Sequence, residues 1–196
     1  MRSEKTPRRR GHHGWRLSCA TLATAAMIAA TAGTLTGCTA ALSNTVPGCG
    51  DPLRLAIIAQ SVPGAAYIPC IHQLPPGWSA SAFNPARGRT RFTLTSDLAP
   101  TTPVVVQLAA ACKIDGATPS PSRAAGVQTY TRLPSISPRL VGSLYDVFRG
   151  GCVSYSFSFD RQQYALIGQF ESAVGLYSRQ QLRLTLKKKL GVELDP

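Results

Sequence analysis

Val153-Ser154-Tyr155-Ser156-Phe157-Ser158-Phe159-Asp160 alternates large apolar and small polar residues along its whole length. In an extended chain successive side chains point to opposite faces. This stretch is therefore one strand, with an apolar face on a core and a polar face that is wet or covered by polar contacts. Leu144–Phe148 precedes it, and Arg149-Gly150-Gly151-Cys152 lies between. Two apolar runs around a glycine turn predict an antiparallel hairpin.

Outward from this hairpin the pattern stays short and strand-like. Tyr67–Ile71 leads into the turn Leu74-Pro75-Pro76-Gly77, followed by Trp78–Phe83. Asn84–Gly88 reads as a loop before the alternating Arg91-Phe92-Thr93-Leu94-Thr95. Val104–Leu108 is β-branched and ends near Cys112. Residues 115–126 are rich in Gly, Pro, Ser and Ala and read as a loop, and Val127–Leu133 is a further strand.

Helices lie at the two ends. Leu53–Gln60 follows Asp51-Pro52, a cap and a first-turn proline, and is stopped before Pro63. Tyr164, Ile167, Phe170 and Val174 recur at helical spacing, with Leu166 and Ala173 widening the stripe. Ser178-Arg179-Gln180-Gln181 has the form of a capping box opening a last helix, with Leu182, Leu186 and Leu190 on one face. Lys187-Lys188-Lys189 oppose the helix dipole, and Gly191 supplies the stop. The fold expected is α+β: one antiparallel sheet of about five to seven short strands, a leading helix and two C-terminal helices covering a face.

The first 37 residues are of another kind. Residues 1–16 are polar and basic, and Leu17–Thr36 contains no charge. A positive segment, an apolar segment and small residues at its end form the pattern of an export signal. The run closes with Leu35-Thr36-Gly37-Cys38. This resembles the lipobox of bacterial lipoproteins. The resemblance implies cleavage between Gly37 and Cys38 and diacylglycerol on the Cys38 sulfur. Two or three acyl chains at ~0.8 kcal/mol per buried methylene make a durable anchor. An uncleaved signal anchor is the competing reading, but a run so rich in Ala, Thr and Gly would span a bilayer poorly. Arg8-Arg9-Arg10 also has the look of a twin-arginine signal. Gly11-His12-His13 follow where that signal carries hydrophobic residues, so the general secretory route is preferred. On this reading residues 1–37 are removed, 38–48 form a lipidated tether and 49–196 form a single extracytoplasmic domain. Residues 39–48 reach at most ~35 Å when extended, which keeps the domain near the headgroups.

The cysteines agree with export. Cys19 leaves with the signal and Cys38 is consumed by lipid, so Cys49, Cys70, Cys112 and Cys152 remain. In an oxidising compartment they read as two disulfides with three possible connectivities. Cys49–Cys70 with Cys112–Cys152 is the pairing with the most local loops, contributing ~3.4 and ~3.9 kcal/mol on the chain-entropy account. No Cys-x-x-Cys occurs, and His72 is the one histidine past Cys38, so a zinc site is not expected.

Pro69-Cys70-Ile71, Leu74-Pro75-Pro76-Gly77-Trp78 and Phe148-Arg149-Gly150-Gly151-Cys152-Val153-Ser154-Tyr155 make the rest of the chain similar to exported actinobacterial lipoproteins. These motifs are turns, cysteines and strand aromatics. The resemblance implies no chemistry and no cofactor.

Enzyme signatures are missing: there is no Gly-x-Ser-x-Gly, Ser-x-x-Lys, His-Glu-x-x-His or phosphate-binding glycine loop. Carboxylates are scarce and show no paired spacing. The 196-residue chain carries 21 basic and 9 acidic residues, a net of +12; removing the first 37 takes away six and one, leaving +7. The basic residues gather at Arg87, Arg89 and Arg91 and at Lys187, Lys188 and Lys189. Both clusters are candidates for contact with anionic headgroups or an acidic envelope polymer, where each cation contributes ~1 kcal/mol near a lipid surface. Ordinary solvated charge is the alternative. Nucleic acid is disfavoured by the compartment and by the lack of interleaved aromatics. Trp78 reads as a cap on the core rather than a ligand platform. The function expected is a non-enzymatic, lipid-anchored binding domain at the outer face of the membrane. The alternatives are an envelope hydrolase or transferase without a recognisable motif, and a structural envelope component.

Overall fold

The computed structural model describes residues 45–194, so the proposed signal, its cleavage position at Gly37 and Cys38 lie outside the described residues. Ala41–Pro196 forms one compact unit, and the described part of it holds a continuous apolar core and both disulfides.

The helix expected after Asp51 is α1, Pro52–Ser61, and the Asp51 side chain accepts from the Arg54 amide. The strands are β1 (Tyr67–Ile71), β2 (Trp78–Ala86), β3 (Arg89–Ser96), β4 (Val104–Ala109), β5 (Thr118–Ser120), β6 (Gln128–Ser135), β7 (Arg139–Phe148), β8 (Gly151–Asp160) and β9 (Val174–Ser178). A short 3-10 turn, Arg161–Gln163, leads to α2 (Leu166–Ala173), and α3 (Arg179–Leu190) ends the described chain. Seven strands form one antiparallel sheet in the order β2-β3-β4-β8-β7-β6-β5.

The quoted alternation sets the two faces of this sheet. Val153, Tyr155, Phe157 and Phe159 are buried, beside Val104, Val106 and Leu108 of β4 and Phe92 and Leu94 of β3. Phe170 of α2 closes over them, its ring centroid 5.5 Å from Phe157 and 5.9 Å from Tyr155. Losing a ring buried in this way costs about 3–5 kcal/mol. Leu182 and Leu186 of α3 and Leu55 and Ile58 of α1 join the same core. All three helices thus contribute to the apolar side of the sheet.

Several expectations need correction. Asn84–Gly88 is not a loop: β2 runs on to Ala86, because a bulge between Ser81 and Asn84 restores its pairing with β3. The 115–126 segment contains β5, a short edge strand on β6. Tyr164 is exposed, and the buried stripe of α2 is Leu166, Phe170 and Ala173. That helix stops at Ala173, since Val174–Ser178 turns extended to pair with β1 in a separate two-stranded sheet, Cys70 opposite Gly175. Ser178 is the N-cap of α3 but makes no capping bond through its side chain. Instead the Arg179 amide donates to Ala66 O, and its guanidinium donates to the carbonyls of Ala59, Val62 and Ala65. Leu190 is exposed at 44%, outside the Leu182–Leu186 face.

Both disulfides form as expected. Cys49–Cys70 ties the entry to α1 onto the β1–β9 pair, and Cys112–Cys152 ties the β4–β5 connection to the start of β8. Among the described residues no helix is long and apolar enough to cross a membrane.

Candidate functional site

One acid interrupts the buried face. Asp146 on β7 is 1% exposed, opposite Val153 on one side and Thr129 on the other. A carboxylate taken from water needs an opposite charge and hydrogen bonds to every oxygen. Thr129 Oγ1 donates to Oδ1 at 3.0 Å. Tyr155 Oη and Arg123 Nη1 each donate to Oδ2 at 3.0 Å. Arg123 Nη1 also donates to Tyr155 Oη, and Nη2 donates to the carbonyls of Glu171 and Val174. The guanidinium lies over the Tyr155 ring, 5.5 Å from its centroid.

This network pins the 121–127 strap to the sheet, to α2 and to β9 at once. Burial alone would lower the Arg123 pKa, but the facing Tyr155 and Asp146 outweigh it and the pKa is raised. Burial, reinforced by Asp146, raises the Tyr155 pKa. The Tyr155 hydroxyl therefore stays a donor at any physiological pH.

Above Arg123 a cleft of about 660 Å³ opens between the strap, α2 and β9. His72, Ser120, Ser122, Thr129, Glu171 and Ser172 are among the residues that line it. Burial raises the Glu171 pKa, with Arg123 opposing. The cleft hydroxyls are engaged locally: Ser122 donates to Ala124 O and Val127 O, and Ser172 donates to Gln169 O. A nucleophilic serine needs instead to point its proton at a base. Among the described residues no three metal-ligating side chains come together.

This network is hidden in the sequence because Arg123 sits in a segment that reads as loop. A signal was present in β7. Asp146 lies in phase with Leu144 and Phe148, and an acid on the apolar face of a strand requires a buried cation.

The two basic clusters are not brought together. Arg87 is exposed at the β2–β3 turn, and Arg89 and Arg91 are exposed on the polar face of the sheet. Lys187, Lys188 and Lys189 are exposed on α3, which belongs to the helical side. Lys187 is ion-paired to Glu193 at 3.0 Å, which lowers the Glu193 pKa. Trp78 is 8% exposed, and its indole donates to Gln169 Oε1 at 2.7 Å, as expected of a core cap.

No protein-family model, no curated protein and no solved structure matches the chain.

Proposed function

We propose that this chain is a lipid-anchored binding protein of the cell envelope. Residues 1–37 direct export, Cys38 takes the lipid after cleavage at Gly37, and the domain from Cys49 onward displays a ligand- or partner-binding surface at the outer face of the membrane. The lipobox and the resemblance to exported actinobacterial lipoproteins point the same way.

The cysteine accounting carries this reading. Cys49, Cys70, Cys112 and Cys152 are paired within the domain. Once the signal takes Cys19 away, Cys38 has no thiol partner left, as a thioether-linked lipid requires. Stable disulfides also belong to an oxidising compartment. Binding is favoured over hydrolysis because Ser122 and Ser172 at the cleft are bonded to backbone carbonyls and Ser120 to the Thr131 hydroxyl, none of them to His72.

Growth with a labelled fatty acid tests the anchor. The wild type incorporates label, and Cys38→Ala leaves an unlabelled, unprocessed precursor. A wild type that takes up no label removes the lipoprotein reading and leaves the signal anchor.

A further inference from the structure

Antiparallel register places paired residues on one face, so the polar side of the large sheet can be written out row by row. One row runs Asn84, Arg91, Gln107, Ser154, Tyr145, Tyr130, from β2 to β6. The next runs Ser81, Thr93, Val105, Ser156, Ser143, Arg132. Strands ~4.8 Å apart make each row roughly 24 Å long. The helices pack on the other side. Ser156 in the middle of this face is exposed, and Gln107, Ser143 and Ser154 are half-exposed. Tyr145 is buried at 8%, and Cys152 on the same face is buried with its disulfide to Cys112, so the β4–β5 connection covers the β7 end of the first row.

Three features of these rows narrow the occupant. Arg91, and Arg89 two residues before it on the same face of β3, carry no ion pair among the described residues, and the acid at the sheet corner, Asp160, is occupied by Arg139 at 3.7 Å. Amides and hydroxyls that both donate and accept fill the space between the arginines. No large exposed apolar side chain belongs to either row, whereas a face that inserts among lipids needs one.

We infer that the open part of this face, over β2, β3, β4 and β8, binds an extended acidic polysaccharide laid across the strands along these rows. The arginines meet its carboxylates or other anionic groups, and the Gln107, Asn84 and serine side chains meet its hydroxyls. This specifies the binding role proposed above. It is tested without the anchor, so failure of lipid labelling and failure of polymer binding are separate outcomes.

The probe is polygalacturonate, a linear polyuronate, with dextran as neutral control and phosphatidylglycerol vesicles as the membrane alternative. The protein is the oxidised domain Ala41–Pro196, and every variant is first checked for an unchanged thermal transition. Affinity electrophoresis should show saturable retardation by polygalacturonate and little by dextran. Arg89→Ser and Arg91→Ser should each weaken it about tenfold, as loss of one charge-assisted hydrogen bond would. Gln107→Ala should weaken it about threefold with no change in net charge. Replacing Lys187, Lys188 and Lys189 with serine, on the opposite side, should leave it unchanged. The proposal is overturned by any of three results: no retardation, a loss with the lysine variant equal to that with the arginine variants, or stronger binding to the vesicles through the same arginines.

Discussion

Arg123 Nη1 and Asp146 Oδ2 lie 3.0 Å apart, joining the 121–127 strap to the C-terminal part of β7. Asp146 is almost wholly buried, while the Arg123 side chain keeps 21% of its surface exposed. The pair decides where the cleft is, because Arg123 also donates to the Glu171 and Val174 carbonyls at its rim. A buried pair of this kind is costly to break from one side only, since the remaining charge is stranded.

Asp146→Asn and Arg123→Met should therefore each destabilise the domain by about 3 kcal/mol. The double variant should lose much less than their sum, with a coupling of about 2 kcal/mol. Urea unfolding of the four proteins measures this directly. Additive losses would mean that the two residues do not act as a pair.

Gly150 forms the tip of the β7–β8 hairpin with φ of 71°, and a Cβ there would meet Gly64 O at 1.8 Å. Gly150→Ala combines a left-handed backbone with a backbone clash, and a loss of about 3 kcal/mol is expected. Gly64→Ala is the control, because its Cβ would meet Gly150 O at 3.4 Å. It should cost less than about 1 kcal/mol. Equal transition temperatures for the two variants would refute the close approach.

Glu171 supplies a pH signature. Burial raises its pKa, so the folded protein holds that proton to higher pH than the unfolded chain does. Its contribution is present at low pH and is lost as pH rises through the raised folded value. Glu171→Gln should therefore melt higher than the wild type at pH 7. The gap should close by about pH 4, near the ordinary carboxyl range. A variant less stable than the wild type at pH 7 would show that the carboxylate is favourably partnered.

The sequence by itself determined the elements whose pattern is local. Val153–Asp160 alternates because one face meets a core, Asp51-Pro52 opens α1 with its own side chain, and Gly191 closes α3 in the left-handed conformation with φ of 65°. The disulfide pairing was legible too, since short loops are the easier to close. Only the tertiary structure decided the rest. Val174 ends a helical stripe, yet it opens β9 because β1 lies beside it and offers a ladder, with Ile71 opposite Val174. Ser178 makes no side-chain cap because the Arg179 amide and guanidinium find the carbonyls of the distant α1–β1 connection. The same holds for the candidate sites. Asp146 and Arg123 are 23 positions apart, and the Arg91–Gln107–Ser154 row joins three strands. Period-two patterning tells which way a side chain points but not which strand stands next to it. That is fixed by long-range pairing, and it is where the cleft and the polar rows arise.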